Sequence, residues 1–211
     1  MKHIAKILVE NGIVKTNFQN PFLWTSGIKS PIYCDCRELI SLKEARNEVI
    51  KAMIDLMKEY DLNPDFVAGT ATAGIPWAAF VAERENLEML YVRSKPKGHG
   101  AGKMVEGRGK NGTNILVIED ALSTAGSSIK SAEALRNELE AKVSHIFAIF
   151  SWDTPSAKSN AADHNLTLMP LTNFFEIADA LESAGKISAA EKEQLADFHA
   201  NPTDWWNNKK K

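Results

Sequence analysis

The chain has 211 residues, 44% hydrophobic and 25% charged, with a formal net charge of −2, which describes one ordinary globular domain with or without a small subdomain. That balance argues against broad nucleic-acid affinity, which calls for a basic excess. Cys34 and Cys36, the two cysteines, cannot build a disulfide framework or a zinc set. With no signal-peptide run in Met1 to Val14 and no apolar stretch of membrane-spanning length, a reduced cytoplasmic protein is expected.

In chain order, Ile4, Ile7 and Leu8 stand at helical spacing within His3 to Asn11, and Gly12 is a stop. Phe18 to Arg37, rich in Pro, Gly, Ser and aromatics, predicts turns and short strands. Ser41 with Glu44 predicts a capping box. It opens a helix with an apolar stripe of Leu42, Ala45, Val49, Met53, Leu56 and Tyr60, ended by Asn63-Pro64. Short apolar runs then follow at Phe66 to Gly69, Leu90 to Val92, Ile115 to Ile118 and Ile146 to Phe150. Helical segments at Gly74 to Arg84 and Ser127 to Glu140 separate them. Continuous apolar strands alternating with helices imply a parallel sheet covered on both faces, with a short edge strand near Leu166 to Met169. Thr172 to Ala200 predicts two helices broken at Gly185, the second capped by Ser188 and Glu191, before a frayed tail from Asn207 to Lys211. Trp205 and Trp206 fit packing or interface positions better than stacking platforms.

The chemistry concentrates in Ile115 to Ser128: a buried strand, then Glu119-Asp120, then a small hydroxyl-rich segment opening a helix. Ligands in open α/β sheets bind at the carboxyl ends of strands, where helix N-termini attract anions. Two carboxylates beside an anion cradle make sense when the ligand also carries a sugar whose hydroxyls they accept; an acidic turn capped by Ser and Thr is the simpler reading of the pair alone. A second candidate is Arg93 to Gly112. Gly98, Gly100, Gly102, Gly107 and Gly109 rule out a helix and predict a long surface excursion, while Arg93, Lys95, Lys97, His99, Lys103, Arg108 and Lys110 make it cationic. Composition fits a pyrophosphate-capturing lid and a solvated connector equally.

Ile115-Leu116-Val117-Ile118-Glu119-Asp120-Ala121-Leu122-Ser123-Thr124-Ala125-Gly126-Ser127 resembles the phosphoribosyl pyrophosphate (PRPP) signature of type I phosphoribosyltransferases. Phe22 to Asp35 is similar to the N-terminal element that forms a hood over the base in orotate phosphoribosyltransferases, and Arg93 to Gly100 to the start of their mobile catalytic loop. The resemblance implies the type I fold: a mostly parallel central sheet flanked by helices, with a small N-terminal hood. It makes residues 1–211 one domain, with a hood over about 1–40, an α/β core over 41–170, and C-terminal helices and tail over 171–211. It implies transfer of phosphoribose from PRPP to orotate, giving orotidine 5′-monophosphate and pyrophosphate in de novo pyrimidine biosynthesis.

By the same resemblance Lys97 and Asp120 are catalytic. Arg93, Lys97 and His99, with Glu119, Asp120, Ala121, Leu122, Ser123, Thr124, Ala125, Gly126 and Ser127, bind PRPP. Ser123, Thr25 and Tyr33 meet orotate. Mg2+ is the implied cofactor, held mainly through PRPP without a direct protein ligand. A homodimer is implied, in which loop 93–110 acts on the partner's site, with no nucleic-acid or membrane partner. Three positions depart from better-known relatives: Thr25, Ala73 and Ser94 stand where many have lysines. In Gly69 to Pro76 the backbone N–H groups of the Ala71 to Gly74 turn are left to meet the pyrophosphate. No arginine follows Trp152-Asp153 before Lys158, where orotate enzymes often carry one.

Overall fold

The computed structural model describes residues 2–24, 26–96 and 102–209, without the side chains of Lys2, Asn208 and Lys209. The expected roles of Thr25, Lys97 and His99, and the end of the tail at Lys210 and Lys211, lie outside the described residues.

Six strands form the central sheet: β5 (Phe66–Thr70), β6 (Glu88–Val92), β7 (Val105–Glu106), β8 (Ile115–Leu122), β9 (His145–Ser151) and β10 (Thr167–Asn173), in the order β10-β9-β8-β5-β6-β7. All neighbours are parallel except β7, which runs antiparallel along β6. Ile115 to Ile118 and Ile146 to Phe150 are buried without interruption because both faces are covered. Helices α1 (Lys2–Glu10), α2 (Lys43–Glu59), α3 (Gly74–Glu85), α6 (Phe174–Ser183) and α7 (Ala189–Ala200) contribute to one core layer, which takes Val67, Leu116, Ile118, Phe147 and Ile149 from the sheet. Helices α4 (Gly126–Leu139) and α5 (Pro155–Asp163) cover the other, over Ala68, Val117, Ile146 and Ala148. The alternation of these partners along each strand is the two-residue pleat.

The hood consists of two ribbons, β1 (Val14–Thr16) on β4 (Ile32–Cys34) and β2 (Phe22–Leu23) on β3 (Lys29–Ser30), followed by a 3-10 helix over Cys36–Ser41. An aromatic seam ties it to the C-terminal region. The Trp24 ring lies 4.8 Å from Trp152 and 5.9 Å from Phe198, and Phe198 meets Trp205 at 5.8 Å. Trp205 is buried, and a last short helix, α8 (Trp205–Lys209), occupies the start of the tail expected to fray.

Three expectations need correction. The Ser41 and Glu44 capping box does not form: Ser41 ends the 3-10 helix and donates its hydroxyl to the Glu38 carbonyl (3.0 Å), so α2 starts at Lys43 without a side-chain cap. Ala45, Val49, Met53 and Leu56 are buried as expected, but Tyr60 is 55% exposed, because the chain leaves the helix at Glu59 and turns left-handed at Asp61 (φ 49°) before reaching Asn63-Pro64. The cationic excursion after Arg93 is partly structured, since Val105 and Glu106 add an edge strand to the sheet. The Ser188 and Glu191 box does form, and β10 runs on to Asn173. Among the described residues no helix is long and apolar enough to cross a membrane.

Candidate active site

The carboxyl end of β8 is the centre of the site. The strand does not stop at Ile118; it continues through Leu122, so Glu119 and Asp120 are rigid strand residues and not part of a turn. Their carboxyls stay in contact, joined by a side-chain hydrogen bond. Glu119, 4% exposed, faces α4 and accepts a hydrogen bond from the Ser127 hydroxyl (2.9 Å). Asp120 is less buried and lies within electrostatic reach of Arg37 and Cys36 of the hood. Burial first, and then the neighbouring charge of Asp120, pushes the Glu119 carboxyl up to about 8. Burial also raises Asp120, against hydrogen bonds and the Arg37 charge that favour its ionised form.

Beyond Leu122 the chain makes a tight turn into α4, with Ala125 left-handed (φ 60°). Its carbonyls are tied back: Thr154 Oγ1 donates to Ser123 O (2.6 Å), Asn160 Nδ2 to Thr124 O (3.0 Å), and Ser128 Oγ to Ala125 O (3.1 Å). Helix geometry leaves the first N–H groups of α4 without intrahelical partners, so this turn presents donors and a positive dipole end. Opposite it, the turn from Thr70 to Ala73 is pressed against β8. A Cβ at Gly74 would stand 2.3 Å from the Ile118 carbonyl oxygen, which only glycine tolerates. The Thr70 hydroxyl is buried there and has no hydrogen-bond partner among the described residues.

On the hood side Asp35 grips Arg37 with two 2.6 Å bonds, to Nε and Nη2, and Nη2 also donates to the Tyr33 hydroxyl (3.2 Å). The Arg37 hydrogen bond holds the Asp35 carboxyl below its ordinary range. Cys34 and Cys36 are free, their sulfurs 3.8 Å apart. Their hydrogen bond, then burial, pushes the Cys36 thiol well up, which keeps it protonated.

The cationic loop is anchored at both feet on α4. Lys130 Nζ donates to Ser94 O (3.1 Å), and the Glu138 carboxylate accepts from the Met104 and Val105 N–H groups (2.7 and 3.3 Å). Arg93 is held at the base of the loop, its N–H on Met104 O (3.0 Å) and its guanidinium on Glu106 (3.4 Å).

Glu119, Asp120 and the Ala121 to Ser127 turn thus follow one another at the end of β8, Tyr33 is linked to Arg37, whose charge reaches Asp120, and Arg93 stands at the loop's foot. Sequence reasoning missed Arg37, Thr154, Asn160, Lys130 and Glu138. Thr154-Pro155 carried a readable signal, an N-cap followed by proline at N1, and the helix it starts, α5, places Asn160. A separate groove of about 610 Å³ between Lys6, Glu176, Asp179 and Lys192 shares none of these residues.

A parallel sheet whose central strand ends in buried acids and a donor-rich turn is the ligand-binding frame of a phosphoribosyltransferase, and the phosphoribosyl transferase domain family matches residues 38–177. The orotate phosphoribosyltransferase of Bacillus cytotoxicus is 41% identical over 203 residues, 96% of each chain, and that of Enterococcus faecalis 42% over 204 residues, 97% of each. The chain belongs to the orotate phosphoribosyltransferase family. Among solved structures, the orotate phosphoribosyltransferase of Aeropyrum pernix superposes with a TM-score of 0.75 at 28% identity, over 88% of this chain and 99% of that one. The UMP synthase of Leishmania donovani shares the fold (TM-score 0.78, 22% identity), over 94% of this chain and 42% of its own.

Proposed function

We propose that the cleft at the end of β8 transfers phosphoribose from PRPP to a ring nitrogen of orotate, yielding orotidine 5′-monophosphate and pyrophosphate for UMP synthesis. The observation that carries this reading is the continuity of β8 into α4, which sets two acids and an anion-binding turn on one rigid element. The acids accept the ribose hydroxyls, while the Ser123 to Ser127 turn takes the 5′-phosphate through its amides and hydroxyls. As the anomeric bond to pyrophosphate breaks and the bond to nitrogen forms, positive charge grows on the sugar, and Asp120 faces it. The buried Thr70 hydroxyl, which has no partner among the described residues, and the amides of the Ala71 to Gly74 turn are suited to the pyrophosphate.

Mg2+ fits this donor set as a passenger on PRPP. Glu119 and Asp120 offer hard oxygens beside the ligand's own. Bound there, it would neutralise charge on the departing pyrophosphate. Lys97, with Arg93 and His99, serves the same leaving group from loop 93–110 of the partner in a homodimer. Tyr33, Ser123 and Thr25 border the base, and the segments 1–40, 41–170 and 171–211 act as one domain.

The test is direct. Protein, Mg2+ and PRPP are mixed with single bases and the ultraviolet absorbance of each base is followed. Orotate alone should be consumed. Turnover of adenine, hypoxanthine or uracil instead would reassign the acceptor, and silence with every base would leave a PRPP-binding regulator.

A further inference from the structure

We infer that Arg37 anchors the carboxylate of the acceptor base, and thereby selects a pyrimidine that carries one over a pyrimidine that does not. The inference rests on the orotate reading and deepens it.

In orotate the nitrogen that receives the sugar is bonded to the ring carbon bearing the carboxylate. When the new bond forms, that carboxylate must lie beside the anomeric carbon, between the wall that holds the base and the acid that faces the sugar. Arg37 spans this interval. Its Nη2 donates to the Tyr33 hydroxyl on the base side, and its charge reaches Asp120 on the ribose side.

The group is also built for the task. Asp35, whose side chain is only 15% exposed, clamps Nε and Nη2 at 2.6 Å each, fixing the guanidinium plane. The Arg37 side chain itself is 61% exposed and open to a ligand. Among the described residues Nη1 has no hydrogen-bond partner, so a donor stands ready with its orientation already fixed. Other hood cations are engaged elsewhere: Lys15 pairs with Glu38 at 2.7 Å, and Lys29 lies 6.0 Å from the centre of the Trp206 ring. Without such a cation the base's carboxylate would approach Asp120 with nothing between them to offset the repulsion.

The experiment compares wild type with Arg37→Ala and Arg37→Lys. It measures steady-state constants for orotate, inhibition by the neutral isostere orotamide, and PRPP affinity by calorimetry. Arg37→Ala should raise the KM for orotate about tenfold or more, the loss of one charge-assisted hydrogen bond. PRPP affinity should stay within about twofold, and the preference for orotate over orotamide should shrink by the same factor as KM rises. Lysine, which keeps the charge without the planar fork, should recover part of the preference. Matching unfolding midpoints would establish that the variants fold. An unchanged orotate-to-orotamide preference, or a fall in PRPP affinity as large as the rise in KM, overturns the inference. A wild type inert toward orotate sinks the functional reading with it; an active wild type with an unaltered alanine variant sinks this inference alone.

Discussion

Glu119 is an acid that the fold keeps protonated. Its ordinary value of 4.5 is moved to about 8 by burial and by Asp120, so the folded chain binds a proton that the unfolded chain releases. The sign follows: Glu119 contributes stability that is complete below about 4.5 and is lost as pH rises through about 8. A ligand that donates hydroxyls to this carboxyl prefers it ionised and must displace the proton. PRPP binding between pH 7 and 8 should therefore release protons and tighten as pH rises, and Glu119→Gln should abolish the release. Calorimetry in two buffers of different ionisation heat checks it: equal heats for the wild type would contradict the linkage. Glu119 and Asp120 were readable as a pair in the sequence, but the burial of Glu119 and the hydrogen bond between the two carboxyls were not. Both depend on a strand four residues longer than the apolar run that announced it.

Helix α4 joins the two feet of the cationic segment to the Ser123 to Ser127 turn at its own N-terminus. Glu138 is a positioning residue in this arrangement: replacing it with alanine removes the acceptor of two backbone N–H groups, an effect of about 1–3 kcal/mol on the hairpin. Glu138→Ala should lower kcat about tenfold or more while moving the KM for orotate little; a change in KM alone would show that the foot serves binding and not loop closure. The same region marks where local pattern gave out. The strand-turn-helix of β8 and α4 was legible because an unbroken apolar run, two acids and a glycine-opened helix are consecutive in the chain. The two-residue strand β7 was not, since its pairing is supplied by β6 and by a carboxylate 33 to 34 residues further on. The cap of α2 failed for a local reason: the Ser41 hydroxyl had a nearer carbonyl, that of Glu38, in the preceding 3-10 turn. Arg37 was passed over because a surface cation shows its worth only beside Asp120, which the fold supplies.

The homodimer proposed above, with its loops crossing, would make each site composite, so that two dead subunits could make a live one. Lys97→Ala and Asp120→Ala should each lower turnover by orders of magnitude alone. When they are unfolded and refolded together, a mixed dimer carries one site with both defects and one with neither. Random pairing then restores about a quarter of wild-type sites. No recovery, with mixed dimers confirmed by mass, would place each loop over its own subunit. The seam of Trp24, Trp152, Phe198 and Trp205 has a practical outcome of its own. Phe198 and Trp205, far along the chain from the end of β8, form the foundation on which the hood stands. Weight hung on that end by a fused tag would press on the hood through this seam, so a sluggish fusion should be cleaved before its kinetics are trusted.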